Sequence, residues 1–189
     1  MKAMVGLFEY NPPLILEALE QADKIGKVKV VAFDENDRTL KGIQDGQVVG
    51  TIAQDPYMYG YKSMEYLAKL HNGEEKAKLA FVTNGVAPFW TIAEKGALKA
   101  EADLNVSVVI VMPSGGITDQ KDKIEDLITR KVDGIAVSPI DADNQTELIN
   151  QAAERTNVVT HDSDAPKSNR LCYIGMDNYE AGLMCAELV

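Results

Sequence analysis

Short apolar runs alternate along the chain with segments of helical periodicity. Met4–Phe8 is apolar and short, and Asn11–Pro12–Pro13 opens a helix on which Leu14, Ile15, Ala18, Leu19 and Ala22 recur at helical spacing. Proline is tolerated in a first turn because the N–H groups there have no internal partner. Gly26 is expected to close that helix, as a residue free to turn left-handed. The alternation then continues. Strands are expected at Val28–Phe33, Val48–Ala53, Leu79–Thr83, Val106–Met112, Gly134–Ser138, Val158–Thr160 and Cys172–Ile174. Helices are expected at Arg38–Asp45, Pro56–Leu70, Pro88–Ala102, Asp119–Arg130, Asn144–Arg155 and Tyr179–Val189.

Such alternation predicts an α/β protein with doubly wound parallel sheets, covered by helices on both faces and joined by right-handed crossovers. The polar stretch His71–Lys78 (HNGEEKAK) interrupts the rhythm and is the best linker candidate. In sheets of this kind ligands lie beyond the carboxyl ends of the strands, so the residues just after each strand carry the functional information.

Composition narrows the classes. The 189 residues are 46% apolar, enough for a real core, and fit one large domain or two small ones. Twenty-nine acids against nineteen bases give a net charge of −10. That opposes sequence-independent nucleic-acid binding, which needs a basic face, and docking on anionic lipid. No apolar run reaches the roughly 20 residues of a membrane span, and the N-terminus shows no signal-peptide pattern. Cys172 and Cys185 lack zinc spacing and are expected to be free thiols inside the fold.

The residues after the strands include Glu9, Tyr10 and Asn11, then Asp34, then Gln54 and Asp55, then Asn84 with Phe89 and Trp90, then Asp141, then His161, Asp162 and Asp164, then Asp177 and Asn178. This set is rich in amides, carboxylates and aromatic rings, and it has no lysine or arginine. A phosphate or carboxylate ligand would want cations or a glycine-rich loop; neither GxxxxGK nor GxGxxG occurs, and Gly115–Gly116 reads as a loop turn. A neutral polyol suits the set, because a carboxylate accepts from two hydroxyls and an amide both donates and accepts. Aromatic faces suit the C–H face of a sugar ring, although Phe89 and Trp90 can equally pack beneath their helix. His161 beside Asp162 has no third ligand at metal spacing, His71 is expected to be solvated near the linker, and no nucleophile motif is present. No catalytic residue, metal or cofactor is expected.

These residues resemble the type I periplasmic sugar-binding proteins, the ribose/xylose-type solute receptors of ABC transporters, whose fold the lactose-repressor-type effector domains share. The carrying motifs are KLAFVTNGVAPFW, VDGIAVSPID, VVTHDSDAP and CYIGMDNYEAG in 78–189, and AMVGLFEYNPP, VKVVAFDE and DGQVVGTIAQDPYMYGY in 3–77. The first group resembles the family's beginning and the second its end, so the order resembles a circular permutation joined at HNGEEKAK. Two βα units that the family places before the strand at Met4 are missing, as is its closing tail.

The resemblance implies one near-complete lobe, 55–176, and a partial second lobe made of 1–54 and the helix 177–189. It implies non-enzymatic monosaccharide binding by a hinged clamp. Phe89 and Trp90 would stack on the sugar, with Asp162 and Asn84 bonding hydroxyls from the first lobe and Asn11, Asp34 and Gln54 from the second. Asp55, Asp177 and Asn178 would lie at the hinge. An ABC permease would be the partner and the periplasm or extracellular space the location. A bared sheet edge would favour a homodimer through the incomplete lobe. Ser163 departs from the arginine that often follows the aspartate at 162. A second reading is a permuted scaffold, engineered or fragmentary, that keeps the fold and has lost the sugar; a sugar-active enzyme using Asp162 and Asp164 ranks last.

Overall fold

A computed structural model describes residues 1–71, 73 and 75–189. Of the linker 71–78, Asn72 and Glu74 lie outside the described residues. The chain folds into two compact units, Met1–Gln54 with Met176–Val189, and Asp55–Gly175.

In the smaller unit, β1 (Ala3–Val5), β2 (Lys29–Phe33) and β3 (Gly50–Ile52) form a parallel sheet in the order β1-β2-β3. The helices α1 (Asn11–Gln21) and α2 (Asp37–Gln44) cover one face, where Leu16, Leu19, Val28, Val30, Ala32 and Val48 pack together. The other face, Val31, Phe33 and Ile52, is covered by Ala181 and Cys185 of the last helix, α7 (Asn178–Leu188). Alternation along β2 therefore feeds two cores, the geometry of a strand buried on both sides.

In the larger unit, α3 (Pro56–Leu70) precedes β4 (Lys78–Val82), α4 (Pro88–Leu104), β5 (Ser107–Val111), α5 (Gly116–Thr129), β6 (Gly134–Val137), α6 (Ala142–Ala153), β7 (Asn157–His161) and β8 (Tyr173–Ile174). The strands form a parallel sheet in the order β5-β4-β6-β7-β8. Met64, Leu67, Leu79, Phe81, Trp90 and Ala97 pack beneath α3 and α4 on one face. Ile124, Leu127, Ile135, Leu148, Ile149 and Val158 pack beneath α5 and α6 on the other. The doubly wound α/β class read from the sequence is the one observed.

The helix ends show where local chemistry decides. Asn36, Asp55, Asp141 and Asp177 cap α2, α3, α6 and α7 by accepting backbone N–H bonds. Gly46 closes α2 in the left-handed region, at φ 72°. Gly26 does not close α1, contrary to expectation. The helix stops at Gln21, and Asp23 takes the left-handed turn at φ 51° while Lys24 N–H reaches back to the Leu19 carbonyl at 2.8 Å. Gly26, at φ 74°, belongs to the turn that follows.

The tightest packing lies between α3 and α4. A Cβ on Gly60 would stand 1.9 Å from the Ala93 carbonyl oxygen, and one on Gly96 would stand 1.9 Å from that of Tyr57. The two helices thus cross with backbone against backbone, and no side chain fits at either point. Gly96→Ala is expected to cost roughly 2–3 kcal/mol through overpacking and to lower the thermal midpoint by about 4–12 °C. Gly182→Ala on α7, where a Cβ would meet nothing within 4 Å, is expected to gain up to about 1 kcal/mol from helix propensity. Paired thermal melts check both; equal responses would refute the crossing as the cause.

Candidate ligand-binding site

In the larger unit the candidate residues gather where β4, β6 and β7 end. Asp162 follows β7, and its carboxylate oxygen Oδ2 accepts from Ser138 Oγ at 3.1 Å, Asn84 Nδ2 at 3.4 Å and Ser163 Oγ at 3.4 Å. Asn84 in turn accepts from the Trp90 indole Nε1 at 3.0 Å. Asn84, Phe89, Trp90 and Asp162 are therefore one connected group. Ser138 and Ser163 belong to it and were not among the expected ligand-binding residues, Ser163 having been noted only as standing where the family often has arginine; their position beside a strand end was the available signal.

Phe89 and Trp90 occupy the first turn of α4 with their rings edge-on, centroids 4.9 Å apart at 87°. Trp90 is only 4% exposed and is edge-packed on Phe81 and His161. Phe89 is half-buried, with the Tyr59 ring 6.3 Å away. The pair divides, with Trp90 in the core and Phe89 at its margin.

His161 is the last residue of β7 and is completely buried, stacked on Phe81 at 4.2 Å. Its Nε2 lies 3.1 Å from the Val82 carbonyl, so that nitrogen carries the proton and donates. Burial draws its pKa from 6.5 down to about 3, against backbone hydrogen bonding at Val82 and Ala136 that favours the charged form. A neutral, enclosed ring of this kind is a structural element. Asp164 faces different partners from Asp162. It takes a two-pronged bond from Arg170, 2.5 and 2.7 Å, and a third from Thr160 Oγ1 at 2.6 Å. His71 is not solvated as expected: its side chain is 18% exposed, with Nδ1 3.7 Å from Asp133.

The loops that carry this group are tied together by Gln120, a fully buried residue on α5. Its Nε2 donates to the carbonyls of Thr83 and Ser138, both at 2.8 Å. Its Oε1 accepts from Ile140 N–H at 3.2 Å and Gln145 Nε2 at 2.8 Å. Gln145 then accepts from Asp141 N–H at 2.9 Å. Gln120 stands in phase with Ile124 and Leu127 on the buried face of α5; it was not singled out from the sequence, and a polar residue on an apolar stripe is the signal that could have found it. The Gly115–Gly116 turn is also internally satisfied, since Asp119 Oδ2 accepts from Ser114 and Gly115 N–H at 2.9 and 3.1 Å. Those bonds lower the Asp119 pKa.

In the smaller unit, Asp34 follows β2 and accepts from Gln54 Nε2 at 2.9 Å. Burial raises its pKa; the Gln54 bond opposes this, and Glu9 and Glu35 add to it. Asn11 is half-buried at the start of α1, and its Oδ1 accepts from Phe8 N–H at 3.0 Å. Asp34 and Gln54 are thus joined, whereas Asn11 is engaged with its own loop. The exposed rings of Phe8 and Tyr10 stack beside it, 5.6 Å apart and 8° from parallel. Of the expected hinge residues, Asp55 caps α3 and Asp177 caps α7, with Asn178 the first residue of α7. Cys172 and Cys185 are free, Cys185 buried and Cys172 half-buried, and burial raises both thiol pKa values. Among the described residues no group of three or more His, Cys, Asp or Glu side chains could hold a metal ion.

The periplasmic binding protein domain family matches residues 1–75 and 79–189. The chain belongs to this family. It is similar to an ABC transporter solute binding protein from Burkholderia graminis C4D1M in complex with D-arabinose: 34% identity over 62% of this chain and 41% of that one, TM-score 0.58. It shares its fold with GanP, a glucose-galactose binding protein from Geobacillus stearothermophilus: 19% identity, 98% of this chain and 67% of that one, TM-score 0.67. It also shares it with a sugar-binding transcriptional regulator of the LacI family from Escherichia coli: 14% identity, 98% and 87%, TM-score 0.62. No curated protein matches the chain significantly. The type I sugar-receptor resemblance read from the motifs stands.

Two outcomes follow from the geometry. Gln120→Leu removes the partner of two carbonyls, the Ile140 N–H and the Gln145 side-chain amide and is expected to cost at least ~2 kcal/mol, lowering the thermal midpoint by about 4–8 °C. For His161 the folded pKa lies below the unfolded one, so the unfolded chain binds the extra proton and stability falls as pH drops below 6.5 toward about 3. Between pH 6.5 and 5 chemical denaturation is expected to show a slope approaching 1.4 kcal/mol per pH unit. That slope should be reduced in His161→Gln; an unchanged slope would assign it to other groups.

Proposed function

We propose that the chain binds a neutral monosaccharide without catalysing a reaction on it. The observation that carries this reading is the Asp162 carboxylate, held by Ser138, Asn84 and Ser163 and connected through Asn84 and Trp90 to the half-buried Phe89 ring. A hydroxyl-rich ligand meets donors and acceptors there, and an aromatic ring suits its C–H face. Sugar-bound relatives of the same family support the ligand class.

In this reading Phe89 stacks on the sugar and Trp90 backs it, Asp162 and Asn84 bond its hydroxyls, and Asp34, Gln54 and Asn11 supply a second polar set. Hinge motion is assigned to the chain crossings at Gln54–Asp55 and beside Asp177–Asn178. The cellular role is solute capture for an ABC importer outside the cytoplasmic membrane, with a permease as partner. The permuted order rests on the motif order along the chain; the family match leaves out residues 76–78, within the 71–78 linker. A homodimer through the smaller unit is part of the proposal.

A thermal melt against millimolar pentoses and hexoses, including D-arabinose, D-glucose and D-galactose, tests the reading. A sugar at 100 times its Kd adds about 2.7 kcal/mol, a shift of roughly 5–11 °C, and Asp162→Ala is expected to abolish it. A cooperative melt that no sugar moves would leave a scaffold that keeps the fold without the ligand.

A further inference from the structure

Five non-glycine residues have φ in the left-handed region among the described residues: Asp23, Asp34, Asn105, Lys131 and Asp162. Asp23, Asn105 and Lys131 follow the ends of α1, α4 and α5, where a left-handed residue is the ordinary way to close a helix. Asp34 and Asp162 are different. Each is the first residue after a parallel strand, β2 or β7, at φ 61° and 57°. A strand does not require such a turn, and a residue with a Cβ adopts it at a cost.

The two turns are held in the same way. Asp34 N–H donates to the carbonyl of Ile52 at 2.9 Å, and Asp162 N–H donates to that of Ile174 at 3.1 Å. Each isoleucine is the last residue of the neighbouring strand, β3 or β8. The residue before each isoleucine then donates a hydroxyl to the aspartate's own carbonyl. Thr51 Oγ1 reaches Asp34 O at 2.6 Å, and Tyr173 OH reaches Asp162 O at 2.7 Å. An amide side chain donates to each carboxylate, Gln54 to Asp34 at 2.9 Å and Asn84 to Asp162 at 3.4 Å. Gly175 makes room for the second lock, since a Cβ there would stand 2.1 Å from the Tyr173 phenol oxygen.

We infer that Thr51 and Tyr173 are positioning residues. Each fixes the left-handed turn of one aspartate and so pre-sets that carboxylate for the ligand, and the two units carry the same anchoring device. The inference rests on the monosaccharide reading for its ligand and on the backbone geometry for its mechanism. Paying the conformational cost on folding, before any ligand arrives, is what preorganisation requires. It also explains why a phenol and a threonine hydroxyl serve alike: the only demand is a donor that reaches one carbonyl.

The test uses Tyr173→Phe and Thr51→Val in the full chain, with Tyr61→Phe as control, because Tyr61 OH bonds Asp103 at 3.3 Å and neither aspartate above. Amide hydrogen exchange at Asp162 and Asp34 is read without ligand, and affinity is read by calorimetry with whichever panel sugar shifts the wild-type melt. Tyr173→Phe is expected to speed exchange at Asp162 and weaken the sugar by about five- to tenfold. Thr51→Val is expected to do the same through Asp34, and Tyr61→Phe to do neither. Wild-type exchange at Asp162 in Tyr173→Phe would overturn the lock. Faster exchange with unchanged affinity would overturn the positioning role and leave a purely structural bond. If no sugar binds the wild type, the monosaccharide reading fails separately, and exchange alone decides whether the hydroxyls hold the turns.

Discussion

The backbone-to-backbone crossing of α3 and α4 is the contact on which the larger unit depends. Gly60 and Gly96 each lie against a carbonyl of the opposite helix, at a separation where even a methyl group would collide. That approach brings Met64 and Leu67 of α3 into the same core as Leu79, Phe81 and Ala97. It also places α3 in this unit although the preceding 54 residues belong to the other one. Dispersion between closely packed helices is weak per atom and large in sum. A crossing without side chains maximises the number of atoms in reach and tolerates no alternative.

The ligand-facing chemistry inherits this rigidity in steps. Helices fixed on both faces hold the sheet, and parallel strands bring their carboxyl ends to one edge. Gln120 then bonds the chain just beyond β4 and β6 from beneath, with both amide protons and its oxygen occupied. A buried amide with every group paired adds order without an unsatisfied penalty. Above it, Ser138, its backbone held through its carbonyl, donates its hydroxyl to Asp162. Core, clamp and carboxylate form a hierarchy in which each layer removes freedom from the next.

Much of this was legible in the residues because strand and helix periodicities differ, and because Asp, Asn, Pro and Gly mark ends by distinct mechanisms. The elements, the α/β class and the importance of the residues after the strands all followed from that. What escaped were outcomes set by competition in three dimensions. Gly26 looked like a helix stop, yet the apolar phase of α1 ends earlier and Asp23 bears the turn. Asp162 and Asp164, two residues apart on an extended segment, need not face one site, but the partners that separate them were not legible. Only Asp164 finds a guanidinium, because Arg170 returns to it after six residues. Phe89 and Trp90 are neighbours in one helical turn, and their opposite burial depends on Phe81 and His161, which come from two other strands. Gln120 was missed: it breaks an apolar stripe, but the four partners that give it a role come from other elements. The left-handed turns of Asp34 and Asp162 left no trace in composition at all.

The two aspartates also constrain what a ligand can be. Asp162 has donors from Ser138, Asn84 and Ser163 converging on one oxygen. Asp34 sits in poorer surroundings. Burial together with Glu9 and Glu35 raises its pKa, and Gln54 is the donor that opposes them. A carboxylate short of donors gains most from a partner that brings an O–H, and hydroxyls of a sugar do so without adding charge. An acceptor-only anion would meet repulsion at Asp34 and bring no donor to Asp162. On the proposed sugar-binding reading, each aspartate within its own unit is therefore suited to a neutral, donor-rich partner.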